Sequence, residues 1–221
     1  MASKARKAFN TSCEDIDRLL EIHGSIAGDQ PGRKHQVEVL HKAAVVLLTA
    51  IWEAYCEDIA AEGLEFLVQK APDAASLPKD LRKQVAKELD EDHDQLAMWR
   101  LAGDGWRPVL ENRLTDLQTE RNRRLNTPKT GQIDDLFSRA LGISGMSQTW
   151  SWEGMSADRA SKKLDDFVSL RGSIAHRGAA ASAVHKKDVT DYYELVKHLV
   201  GKTGGKVKSD LKKATGEDLW N

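Results

Sequence analysis

The sequence predicts an all-α fold, a bundle of about five to seven helices around one long spine helix. Three observations carry that expectation. Apolar residues recur at three- and four-residue spacing through most of the 221 residues. No stretch shows the strict alternation of a strand. Ala, Leu, Lys, Glu and Arg dominate, with only 5 prolines, and these residues lose least on entering a helix. A 40% hydrophobic and 30% charged composition suits an ordinary globular chain, long enough to bury a core in one domain.

Each element follows from local signals. Ser12 reads as the cap of a first helix, with Glu14 and Asp15 in its first turn and an apolar stripe of Ile16, Leu19, Leu20, His23 and Ile26. Gly28 to Gly32, with Pro31, closes it. The spine should run from about Lys34 to Lys70 on the stripe Val37, Leu40, Ala44, Leu47, Leu48, Ile51, Tyr55, Ile59 and Leu67. Pro72 and Pro78 bracket a loop, and a charged helix is expected from Asp80 to Leu96. Gly103 and Gly105 break the chain before a helix from Trp106 to Arg124. A turn at Asn126, Thr127 and Pro128 leads into a short helix around Ile133 to Leu141. A loop, Gly142 to Gly154, carries Trp150 and Trp152. Ser156 caps a helix through Leu164, Phe167, Val168 and Ile174. The last helix is expected from Lys187 to Val200, ending at Gly201. The expected division is therefore a helical domain over 1–200 and a basic, partly frayed tail over 201–221.

Composition and motifs set several function classes aside. A formal net charge of −1 excludes the global basic field of a general nucleic-acid binder, so any such site must be a local patch. Cys13 and Cys56 cannot build a disulfide framework and read as reduced thiols of a cytosolic protein. The N-terminal Lys4, Arg6 and Lys7 are followed by Asn10, Glu14 and Asp15, where a signal peptide needs an apolar stretch. The most apolar run, Ala43 to Trp52, is interrupted by Thr49, and no membrane span is expected. There is no Gly-rich phosphate loop, no Cys-x-x-Cys and no Gly-x-Ser-x-Gly elbow. A di-metal bundle needs two Glu-x-x-His pairs, and only Glu38 and His41 have that spacing. No cofactor and no metal is therefore expected. The acidic run Asp90, Asp92, His93 and Asp94 reads as a solvated face.

One segment stands apart. Leu164, Phe167, Arg171 and Ile174 succeed one another by three and four residues, so the helical period puts Arg171 on the buried stripe. A buried guanidinium is costly unless it meets a carboxylate, a dipole or an anionic ligand. His176 follows five positions later, about 140° further round the helix.

The hexapeptide Arg171-Gly-Ser-Ile-Ala-His176, near the end of an amphipathic helix, resembles the Arg-x4-6-His motif of HEPN domains. Trp52-Glu53-Ala54-Tyr55, Asn126-Thr127-Pro128 and Trp150-x-Trp152 resemble segments of its RiboL-PSP branch. The resemblance spans about residues 35 to 200. It implies a metal-independent endoribonuclease, homodimeric, with one motif from each protomer meeting at the dyad. Arg171 would neutralise the scissile phosphate, and His176 would handle the proton of the 2′-hydroxyl or leaving group. The family usually has a polar residue after the arginine, where this chain has Gly172. Arg177, Arg121, Arg123, Arg124, Trp150 and Trp152 are candidates for RNA contact, and Glu53 is a candidate orienting acid on the spine. The resemblance extends to a cytoplasmic toxin or antiviral effector acting on RNA, with a neutralising or regulatory protein partner. The rival readings are a catalytically silent helical module that dimerises or binds protein or RNA, and a helical metal-binding bundle.

Overall fold

The computed structural model describes residues 3–27, 37–124, 127–177 and 183–220, without the side chains of 27, 117, 118, 120–124, 176 and 177. Among these residues there are seven α-helices: α1 (Lys4–Ala27), α2 (Glu38–Lys70), α3 (Lys79–Asp90), α4 (Trp106–Arg124), α5 (Thr130–Leu141), α6 (Ala157–Arg177) and α7 (Lys186–Thr215). An isolated bridge between Trp152 and Met155 is the only β pairing among the described residues. The fold is all-α, as the periodicity predicts.

α2 is the spine. Its 33 residues span about 50 Å, and α1, α4, α5, α6 and α7 all pack against it. Enclosure on several sides explains why it is apolar nearly all round: Leu48, Trp52, Cys56, Ile59, Leu64 and Leu67 are fully buried. By length and composition this helix is long and apolar enough to cross a membrane, contrary to the expectation that none would be. Half of its most apolar window is buried inside the bundle.

α1 begins at Lys4, not after Ser12. The Ser3 hydroxyl accepts the Arg6 N–H at 2.8 Å, and Glu62 on α2 accepts the N–H groups of Lys4 and Ala5 at 3.2 Å each. The stripe of Ala5, Phe9, Cys13 and Ile16 is buried, and Ser12 lies within the helix. The break expected at Gly28 to Gly32 lies outside the described residues, as do Lys34 and Asn126.

α3 stops at Asp90, short of the expected Leu96, because the carboxylates beyond it bond to the backbone locally. Asp92 accepts the Asp94 N–H at 3.0 Å, and Asp94 accepts the Leu96 N–H at 2.9 Å. α4 has the expected limits. α5 starts at Thr130, where Asp165 of α6 accepts both the Thr130 N–H (2.8 Å) and its hydroxyl (2.9 Å). It ends at Gly142 with φ +67°, where a Cβ would stand 2.5 Å from the Leu81 nitrogen.

α7 corrects the expected C-terminus. It runs through Gly201 to Thr215, burying Val207 and Leu211, so residues 201–215 are helix packed on the core, not a frayed tail. Gly204 is a close-packing position: a Cβ there would lie 2.7 Å from the Tyr55 hydroxyl, which donates to the Val200 carbonyl at 3.0 Å. Four lysines of this segment are paired, Lys206 and Lys213 with Asp210, Lys208 and Lys212 with Asp218. Trp220 donates its indole N–H to Glu62 at 2.8 Å, so one carboxylate ties both ends of the described chain to the spine.

Candidate active site

The motif helix starts where its cap predicts. The Ser156 hydroxyl accepts the Arg159 N–H at 3.3 Å, and α6 then lays Leu164, Val168 and Ile174 into the core. Arg171 lies on that stripe and is half-buried, with its Nε shielded from solvent. One turn earlier, Phe167 stacks on Tyr192 of α7, ring centroids 4.3 Å apart at 11°. The Tyr192 hydroxyl lies 3.1 Å from Thr49 Oγ1 on α2. Since the Thr49 hydroxyl donates to the Val45 carbonyl at 2.8 Å, Tyr192 is the donor to Thr49. Three helices therefore converge around the arginine.

Electrostatics single out Glu53, one turn beyond Thr49 on α2. Burial, followed by the like charge of Glu57, pushes its carboxyl up to about 7, and the positive charge of Arg171 opposes the rise. A carboxyl balanced near neutrality beside a guanidinium can hold or release a proton at physiological pH. Tyr192 feels the same guanidinium. Burial holds its phenol well above the usual range, with the Arg171 charge acting the other way. Cys56, fully enclosed on the same helix, has its thiol pushed well up by burial and is no nucleophile at neutral pH.

α6 stays helical through Gly172 and up to Arg177. His176 thus lies on the last turn, its Cα about 7.5 Å further along the axis than that of Arg171. The side chains of His176 and Arg177 lie outside the described residues. Gly172 is half-buried, and a Cβ built there meets nothing within 4 Å. A larger side chain therefore has room at that position.

The structure distributes the other candidates. Trp150 is fully buried against Trp52 (centroids 5.8 Å, 73°) and donates its indole N–H to Thr203 at 3.0 Å. This corrects its assignment to RNA contact, since a ring with no exposed face cannot receive a base. Trp152 is half-buried and stacks on His198 at 4.5 Å and 8°. Arg121, Arg123 and Arg124 form the end of α4, and their side chains lie outside the described residues. Glu38 pairs with Lys42 at 3.1 Å, and buried His41 donates Nδ1–H to the Val184 carbonyl at 2.9 Å. His185 is the N-cap of α7, its N–H donating to Asp188 at 2.8 Å.

Sequence reasoning missed Thr49 and Tyr192. Thr49 carried a signal, being the one polar residue in the apolar run from 43 to 52. Tyr192 carried none, because an aromatic on an apolar stripe looks the same whether or not its hydroxyl faces a site.

Comparison with protein-family models gives a match to RiboL-PSP-HEPN over residues 11–208. Comparisons with curated proteins and with solved structures return no match. The matched span runs from α1 into the second half of α7 and takes in Glu53, Arg171 and His176. The chain belongs to the RiboL-PSP-HEPN family.

Proposed function

We propose that the chain is a metal-independent endoribonuclease in which Arg171 and His176 act on the RNA backbone. Family membership supports a nuclease- or RNA-related role in general. The observation that carries the finer reading is the placement of Arg171, a half-buried guanidinium in the field of a Glu53 carboxyl pushed to about 7.

RNA supplies its own nucleophile, so a proton acceptor and a cationic clamp suffice. The 2′-oxygen bonds to the adjacent phosphorus as the bond to the 5′-oxygen breaks. The products are a 2′,3′-cyclic phosphate and a 5′-hydroxyl. His176 takes the 2′-hydroxyl proton or returns one to the leaving 5′-oxygen. Arg171 grips the non-bridging oxygens with two donors as negative charge builds on them. Glu53 balances the Arg171 charge when no phosphate is present. In this reading two protomers pair with their motifs at the dyad, where two guanidiniums repel until an anion lies between them. A cytoplasmic toxin or antiviral effector, restrained by a protein partner, is the biological role that goes with it.

The test is incubation of the purified protein with single-stranded RNA in the presence of chelator. Cleavage should leave cyclic phosphate ends and spare DNA, which lacks the 2′-hydroxyl. His176→Ala should lose about 10²–10⁴-fold in rate, and Arg171→Ala on the order of 10²–10³-fold. Cleavage that persists in both variants, or that requires a divalent cation, would sink the proposal. Gly172 favours a second reading, a silent RNA-binding module, because it lacks the polar side chain usual after the arginine. Binding without cleavage in the wild type, with cleavage gained in Gly172→Asn, would establish that reading.

A further inference from the structure

The connection between α3 and α4 presents apolar side chains to water. Trp99 is 76% exposed, Leu96 66% and Met98 45%. The segment is held in shape from below. Ala97 is fully buried, the Trp99 N–H donates to the Leu96 carbonyl at 2.9 Å, and Arg100 bridges Asp92 (3.0 Å) and Asp94 (2.9 Å). Arg107, at the start of α4, donates to the Val68 and Ala71 carbonyls and fixes the connection to the C-terminal end of α2. Three large apolar side chains on a pre-organised turn lose little entropy on binding, and an exposed indole is a favoured anchor of protein interfaces. Soluble chains seldom expose such a cluster without use.

The surroundings specify the partner. Glu88, Asp90, Glu91, Asp92 and Asp94 are exposed beside the cluster. Among the described residues Lys87, Arg100 and Arg113 pair with them, and five carboxylates against these three cations leave the rim net acidic. A groove of about 410 Å³, floored by Val85, Leu89 and Val109, opens against Asp92 and Arg100. RNA phosphates would be repelled here, and a symmetric contact between two copies would press like rims together. We propose that this surface docks a protein segment presenting an apolar helix face edged with lysine or arginine. Leu96, Met98 and Trp99 are its anchors, and the carboxylate rim sets its orientation. The surface lies by the C-terminal end of the spine and Glu53 at its middle, about 15 residues and roughly 22 Å back from Val68 along the axis, so the proposal stands apart from the ribonuclease reading.

The probe is a fluorescent, amphipathic leucine–lysine helix of about 18 residues, compared with a scrambled peptide of the same composition. Anisotropy titration of the full chain should give a Kd on the order of micromolar for the amphipathic peptide. The scrambled peptide should bind at least about tenfold more weakly, and so should the amphipathic one to Trp99→Ala/Met98→Ala. These side chains are exposed, so both proteins should share one circular dichroism spectrum and melting curve. Four outcomes would overturn the proposal: no binding, equal binding of the two peptides, affinity unchanged in the variant, or a dimer in sedimentation that Trp99→Ala abolishes.

Discussion

Glu53 is a carboxyl that the fold moves far from its ordinary range. In an unfolded chain its carboxyl titrates near 4.5; in the folded protein burial and the Glu57 charge move it to about 7. Between those values the folded state holds the extra proton, so stability falls as pH rises through this window. Glu53→Gln removes the disfavoured charge. We expect its melting temperature to exceed that of wild type by about 2–4 °C at pH 8, the scale of 1 kcal/mol for a chain of this size. At pH 5 the two proteins should melt together, since the wild-type carboxyl is then protonated in the fold. Equal melting at both values would mean that the carboxyl is better solvated than its position on α2 suggests. Arg171 was legible as a residue on a buried stripe. Its neighbours were not, because Thr49 and Tyr192 come from helices more than a hundred residues apart.

Among the elements, α7 teaches the most. Gly201 reads as a helix stop, yet the helix passes through it and on through Gly204 and Gly205. Glycine in a helix interior costs about 1 kcal/mol relative to alanine and does not forbid the helix, and packing decides whether that cost is met. Gly201 and Gly204 should therefore respond differently to alanine. Gly201 is exposed with nothing near its missing Cβ, so Gly201→Ala should gain about 0.5–1 kcal/mol in a denaturant titration. Gly204→Ala would drive a methyl into the Tyr55 hydroxyl and should lose about 1–3 kcal/mol by overpacking. If Gly204→Ala proved stabilising, the close approach of α7 to α2 would be wrong. α3 makes the complementary point: its expected end at Leu96 failed because Asp92 and Asp94 bond to the backbone ahead of them.

For the molecule as a whole, the proposed chemistry depends on a second copy. A twofold arrangement brings equivalent residues together at the axis, and a motif near the end of α6 can meet its mate only if that end of the helix lies in the interface. Sedimentation at about tens of micromolar should show a dimer. Ala175 is exposed on α6, so Ala175→Glu should shift the population to monomer without changing the melting curve of the protomer. RNA cleavage should fall with the dimer fraction. An active monomer would refute the shared site and leave each motif to work alone.

Everything that repeats along a single helix was legible in the residues alone. The all-α class, the spine, the limits of α4, the cap of α6 and the place of Arg171 on a buried stripe are all read from three-and-four spacing and capping residues. Those signals span a few turns, and a helix expresses them wherever it packs. The tertiary structure decided what depends on which elements cover a face. It sealed Trp150 under Trp52 and Thr203 instead of offering it to RNA. It drew the last basic segment into the core through Val207 and Leu211. It also set Glu53 against Glu57 and Arg171 in a partly water-excluded place. Burial and local dielectric are properties of neighbours distant in the chain, and no periodicity of one helix encodes them.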